Sequence, residues 1–375
     1  MKYLEEFRDL ELSHKLADGI RRRVKPFQDR EIVLMEVCGT HTMAIHKFGI
    51  KGMLPESVKL LSGPGCPVCV TPNEYMDRAV ALARREDVIL TTFGDMMRVP
   101  GSSSSLEKVR ARGADIRMVY SCRDSLPLAR EHPDKKIVFL GVGFETTSPT
   151  IAATLEEAEK QGVRNFYVLC GHKLIPPAMK ALVENRDVKV QGFICPAHVS
   201  TIIGAEPYQF LADEYGIPCV IAGFEPLDIL QGVAMLVRMI IEERPAVMNQ
   251  YQRVAHLRGN PIAQQLLSRV FETCSSAWRG IGEIPASGYR ISDALAHRDA
   301  GRVIDVEVEP LREHKGCRCG EILQGLIDPC QCPLYAETCT PENPIGPCMV
   351  SSEGTCAAYY KYVGIQPDLS KGGQG

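Results

Sequence analysis

Two cysteines separated by two residues, Cys66-Pro-Val-Cys69, follow a turn built from Gly63, Pro64 and Gly65. That spacing closes a small disulfide or ligates one metal ion, and in a cytosolic α/β setting it favours thiol–disulfide exchange. The competing reading is half of a distant metal site, since no further ligands lie adjacent. Cys38, in Glu36-Val-Cys-Gly-Thr-His41, instead ends an apolar run. A cysteine at a strand end beside a helix N-terminus is expected to have a lowered pKa, because the helix dipole favours the thiolate that binds metal. His41 would serve there as a second ligand, an acid/base group or an orienter. The plain alternative is a buried thiol closing a strand beside a surface histidine.

Seven of the fifteen cysteines lie between Cys317 and Cys356. Cys317-Arg-Cys319, Cys330-Gln-Cys332, Cys339, Cys348 and Cys356 are interspersed with Pro and Gly, as in loops that hold iron–sulfur clusters. Tetrahedral zinc is the direct competitor, although the two tidy C-x2-C knuckles of a zinc ribbon are missing. Cys122, Cys170, Cys195, Cys219 and Cys274 stand singly, and burial is their default explanation.

The remaining candidates are ionisable. Asp95 and Arg98 in Phe93-Gly-Asp-Met-Met-Arg-Val-Pro-Gly101, and Glu145 in Gly143-Phe-Glu145, each follow an apolar run and are expected to line one cleft. Helix capping by Asp95 and surface ion pairing by the other two are the simpler reading. His198, in Pro196-Ala-His-Val-Ser200, follows another run. Gly141-Val-Gly143 is only a fragment of a dinucleotide fingerprint and no Walker A loop occurs, so nucleotide use is unsupported.

These residues need strands to hold them. Glu31–Val37, Val58–Leu61, Val88–Phe93, Ile116–Tyr120, Ile137–Leu140, Phe166–Leu169, Gly192–Ile194 and Cys219–Ala222 are short apolar runs alternating with helical patterns, the signature of parallel strands in βα units. The expected architecture is α/β: one domain over residues 1–125 with Cys38 and the CPVC motif, a second over 126–245, and a Cys-rich tail domain over 246–375. Gly143-Phe-Glu-Thr-Thr147 and Gly223-Phe-Glu-Pro-Leu227 form a weak internal echo, each a strand-to-turn switch with an acidic residue. The stretches Asn249–Val254 and around Trp278 read as helix and irregular connection. From Gly316 onward the composition cannot build a large apolar core, so a metal staple is expected.

The 375 residues exceed the usual size of a single core, and 45% hydrophobic with 24% charged residues is ordinary for a soluble globular protein. A net charge of −3 makes no case for nucleic acid or an anionic membrane as partner. The mixed charge of Met1–Asp9 argues against a secretory signal, and Ile229–Ile241 is too short to span a bilayer. A cytoplasmic location is expected, where thiols stay reduced and fifteen cysteines mean metal binding, catalysis or packing.

Taken in order, Cys38-Gly-Thr-His41, Gly63-Pro-Gly-Cys-Pro-Val-Cys69, Phe93-Gly-Asp-Met-Met-Arg-Val-Pro100, Gly143-Phe-Glu-Thr-Thr147, Pro196-Ala-His-Val-Ser200, Gly223-Phe-Glu-Pro226 and Ser351-Ser-Glu-Gly-Thr-Cys356 resemble the motifs of the HypD family, maturation factors of [NiFe] hydrogenases. The resemblance implies two α/β domains around a central cleft and a small iron–sulfur C-terminal domain. It further implies a scaffold, shared with the small chaperone HypC, on which Fe(CN)2CO is assembled with cyanide delivered by HypE. By that resemblance Cys38 helps hold the iron and Cys66 and Cys69 are the redox-active pair. Cys319, Cys332, Cys339 and Cys356 are then the ligands of a [4Fe–4S] cluster, with Cys317, Cys330 and Cys348 as possible substitutes and Cys330 the foremost of them. Electrons would pass from cluster to Cys66/Cys69 to iron, while His41, Asp95, Arg98, Glu145 and His198 shape the cleft. Two rival readings are an iron–sulfur thiol–disulfide reductase and a zinc-stabilised interaction protein.

Overall fold

The computed structural model describes residues 5–27 and 29–363. All eight apolar runs form strands: β1 (Ile32–Glu36), β2 (Val58–Ser62), β3 (Val88–Thr92), β4 (Ile116–Met118), β5 (Lys136–Gly141), β6 (Phe166–Cys170), β7 (Gly192–Pro196) and β8 (Cys219–Ala222). Strands buried along their whole length, such as Val88-Ile-Leu-Thr-Thr92, are those whose β-branched side chains pack on both faces of a parallel sheet. A short ninth strand, β9 (Val247–Asn249), had no sequence signal, and the residues after it up to Val254 form bends and a turn instead of a helix.

The nine strands divide into two parallel sheets, ordered β2-β1-β7-β8-β9 and β4-β3-β5-β6. Each sheet draws strands from both sides of residue 125, so the sheets interleave along the chain instead of following the sequential division. In the first sheet the chain runs outward from β1 to β2, then outward the other way from β7. In the second it does the same from β3 and from β5. Each sheet therefore has one topological switch point, β1/β7 and β3/β5, and the crevice beyond the carboxyl ends of such strands is where open α/β sheets bind ligands.

The region around Trp278 is neither helix nor irregular. It is an antiparallel hairpin of β10 (Phe271–Trp278) and β11 (Gly282–Ile291), with a register shift between Cys274 and Ser276. Gly280 turns the chain at φ 73°, a conformation open to glycine without steric cost. Trp278 is buried, and its indole N–H donates to Ser287 Oγ at 2.8 Å, which satisfies the polar end of a large apolar group.

The tail does not form a core of its own. Cys319, Ile322, Leu323, Cys348 and Met349 belong to the same continuous apolar cluster as Met35, Cys66, Cys69, Leu140 and Trp278. Arg98 helps fasten it, its guanidinium donating to the carbonyls of Pro341 at 2.7 Å and Val350 at 3.4 Å. Among the described residues no helix is long and apolar enough to cross a membrane.

Candidate functional site

The two switch points carry the candidate residues. Cys38 lies two residues beyond β1 and His198 two beyond β7, while Asp95 lies three beyond β3 and Gly143 two beyond β5. A short tail segment joins the two crevices. Ser351 Oγ donates to Asp95 Oδ2 at 2.9 Å, and Thr40 Oγ1 donates to Glu353 Oε1 at 2.7 Å. Between them is a cleft of about 670 Å³ whose walls include Cys66, Asp95, Tyr120, Thr147 and Ser351 to Glu353.

Cys38 is the N-cap residue of the helix Gly39–Lys47, and the nearby amides of Thr40 and His41 act to lower its thiol pKa. The expected lowering of its pKa is not found. Burial, then the carboxylates of Glu353 and Glu36, push the thiol up to about 12. A few helix-end dipoles cannot outweigh desolvation plus two nearby negative charges. The thiol is therefore held neutral; a dication bound beside it would reverse the local balance and expel the proton. Below it, Glu36 is buried; its carboxylate accepts the Cys38 N–H at 2.9 Å and the Thr42 hydroxyl. Burial raises its pKa to about 7 even though Thr42, Cys38 and Ser62 all bond it.

His41 Nε2 lies 3.0 Å from both Ala222 O and Gly223 O. Two carbonyls require a donor, so Nε2 carries the proton and Nδ1 is the unprotonated nitrogen. Nδ1 is buried with no hydrogen-bond partner, and burial lowers the imidazole pKa to about 4. The ring is a neutral acceptor held in place. Phe224 packs between His41, at 4.7 Å between centroids, and the exposed His198, at 4.3 Å.

Asp95 lines the cleft as expected, but Arg98 and Glu145 do not. Arg98 is turned to the tail carbonyls. Glu145 is buried, accepts the Ile175 N–H at 3.0 Å with Oε1 and leaves Oε2 without a partner; burial raises its pKa to about 7. Glu353, which lies in the Ser351–Cys356 motif but has no expected role there, lines the cleft in the place expected for Glu145.

Cys66 caps the single turn Pro67–Val70, and Cys69 is fully buried. Burial raises the Cys69 pKa, against a hydrogen bond with the thiol of Cys348, while a bond with Cys66 adds to the rise. Cys69 Sγ also lies 4.0 Å from Pro347 O, which puts it in contact with the tail. Six tail cysteines, Cys317, Cys319, Cys332, Cys339, Cys348 and Cys356, line one apolar hollow. Cys330 is exposed and outside it, so the foremost substitute ligand is placed wrongly for that role. Cys319 Sγ stands 2.7 Å from Cys348 Sγ, inside van der Waals contact though longer than a disulfide of about 2.05 Å. The Ile345 N–H donates to Cys339 Sγ at 3.4 Å, and Gly346 N–H also bonds that sulfur. Among the described residues no group of three or more His, Cys, Asp or Glu side chains is arranged around a single metal ion.

The family model HypD, described as the hydrogenase formation hypA family, matches residues 11–363. The chain is 48% identical over 370 residues to the hydrogenase maturation factor HypD of Cupriavidus necator, covering 96% of this chain and 97% of that protein. It is 45% identical over 366 residues to the hydrogenase maturation factor HypD of Escherichia coli, covering 96% and 98%. Against the Rhodobacter capsulatus protein of the same name the identity is 44% over 374 residues, covering 98% and 99%.

Proposed function

This chain belongs to the HypD family of hydrogenase maturation factors, and we propose that it is the scaffold on which the Fe(CN)2CO group of [NiFe] hydrogenase is assembled, held jointly with the small partner HypC. The observation that carries the reading is the continuity of the sulfur sites. Cys38 and the Cys66–Cys69 turn are joined through Gly65, and the Cys69 thiol reaches Pro347 O, next to Cys348 of the tail hollow, at 4.0 Å.

The iron is cargo, received at Cys38. A neutral thiol that loses its proton only to a cation suits a scaffold that must bind iron and later release it. Soft thiolate and strong-field diatomic ligands complete such a site well. His41 orients the turn without adding charge. Asp95 and Glu353 form the polar wall, and the opening between them admits the cyanide donor HypE.

The donor set of the hollow fits a resident [4Fe–4S] cluster. Each iron takes its own thiolate, so the ligands stand around a wall instead of converging on one point as they do for zinc. We assign Cys317, Cys332, Cys339 and Cys356 as ligands. Cys317, at the open edge of the hollow, replaces Cys319 in that set, because the Cys319 and Cys348 sulfurs already stand 2.7 Å apart as a pair. When bound, the cluster supplies single electrons. Cys319 and Cys348 form a dithiol beside Cys69, and Cys66 lines the cleft, an order suited to passing a disulfide inward by exchange. Burial raises the Cys339 pKa, and the amides of Gly346 and Ile345 oppose that rise by bonding its sulfur, which favours the charged form a ligand needs.

Iron, sulfide and zinc analysis of anaerobically purified protein tests this reading. About four irons per chain with a brown colour are expected. A colourless, zinc-loaded chain would remove the cluster, and a brown chain that reduces disulfides freely without HypC would favour a turnover reductase.

A further inference from the structure

Five of the six thiols around the tail hollow are buried, and Cys317 alone is partly exposed. That makes its edge the nearest approach from solvent to the cluster site proposed above, on which this inference rests. The edge is built by a tight turn in which Cys317 N–H donates to His314 O at 3.0 Å, leaving Lys315 exposed at the tip. Arg312 is exposed on the incoming strap. Arg279 lies close enough to act on the Cys317 thiol electrostatically, and its guanidinium donates to a carbonyl, Pro100 O at 3.4 Å. Arg318 is neutralised by Glu321. Arg279, Arg312 and Lys315 outnumber Glu313 and Glu342 by one positive charge at this edge, in a chain whose net charge is −3.

The same edge adjoins a second cleft, of about 460 Å³, whose lining includes Arg98, Arg279 and Arg312 with Glu313 and Glu342. Ile345 belongs to that lining and is also the residue whose amide bonds Cys339. The cleft and the hollow are therefore separated by little more than one backbone segment.

We propose that the basic edge formed by Arg279, Arg312 and Lys315 beside Cys317 docks an acidic one-electron carrier protein of the ferredoxin class. Encounters of this kind are small and transient, and charge complementarity sets their rate and orientation more than buried area does. The stoichiometry requires repeated docking. Opening one disulfide at Cys66–Cys69 breaks an S–S bond and forms two S–H groups, which takes two electrons and two protons. Two reduced carriers must arrive in turn, each leaving oxidised by one electron, so the contact has to be weak enough to release.

The test is binding of a plant-type acidic [2Fe–2S] ferredoxin to the full chain, measured by calorimetry at low and high salt, with reduction of the visible absorption by ferredoxin and by dithionite followed in parallel. Arg312→Glu combined with Lys315→Glu should weaken binding about tenfold or more at low salt, and Glu313→Lys should strengthen it. Both variants should bleach normally with dithionite. Affinity that ignores these charge changes, or that ignores salt, overturns the docking edge while the cluster stands. A protein that dithionite cannot bleach overturns the cluster reading and the docking edge together.

Discussion

Gly65 and Cys38 touch through their backbones. A Cβ on Gly65 would fall 2.1 Å from the Cys38 nitrogen, and the Gly65 carbonyl accepts the Gly39 N–H at 2.8 Å. The turn that presents Cys66 and the turn that presents Cys38 are thus one unit, and glycine at 65 is the condition for their approach. Gly65→Ala must part them. It is expected to cost about 3 kcal/mol in denaturant unfolding, with Cys66 becoming more reactive to alkylating agents; unchanged stability and reactivity would separate the two turns.

Arg98 is a fastening of the tail, not a wall of the cleft. Arg98→Ala removes charge-assisted bonds to the carbonyls of Pro341 and Val350, and should cost about 2 kcal/mol. The loss should appear as faster hydrogen exchange across residues 339–350, and Arg98→Lys should restore part of it.

Glu145 gives a pH dependence of defined sign. Its pKa is raised from 4.5 to about 7 in the folded chain, so between those values the folded state binds more protons than the unfolded one. Stability contributed by this group is fully present at low pH and is lost as pH rises through 7. Glu145→Gln keeps an acceptor for the Ile175 N–H and removes the titration. The variant should gain stability relative to the parent at pH 8, on the order of 3 kcal/mol, and little at pH 4. An identical pH profile for both proteins would show that Glu145 titrates normally.

The ligand assignment separates Cys317 from Cys319. Cys317→Ser should lower bound iron and sulfide, whereas Cys319→Ser should retain both and lose exchange between the tail and Cys66–Cys69. The opposite pattern would return Cys319 to the ligand set.

Much of this fold is legible in the sequence because parallel strands announce themselves. Val88–Thr92 and Cys219–Ala222 are buried along their length, so their sequences are continuous apolar runs bounded by turns. The hairpin is not legible for the complementary reason. Phe271–Trp278 is buried only at its two ends and alternates half-buried and exposed positions between them, around a bulge, so it reads as connection. Cys38, Cys66 and Asp95 can be placed because each follows a strand, and strand ends gather at a switch point whatever the details. Glu353 cannot: its motif is visible, but its bond to Thr40 spans 313 residues and nothing in the motif shows that partner. The direction of the Cys38 pKa is hidden likewise: a helix start is visible in sequence, whereas the burial and the carboxylates that outweigh it are tertiary.

Cys38 is the proposed iron thiolate, and the roles proposed for the Cys66–Cys69 pair and the tail cysteines depend on it. Infrared spectroscopy of the chain co-purified anaerobically with HypC tests this most directly. Cyanide and carbonyl stretching bands are expected from the parent complex, and their loss is expected in Cys38→Ala with the tail iron and sulfide retained. Bands of full intensity in Cys38→Ala would contradict it.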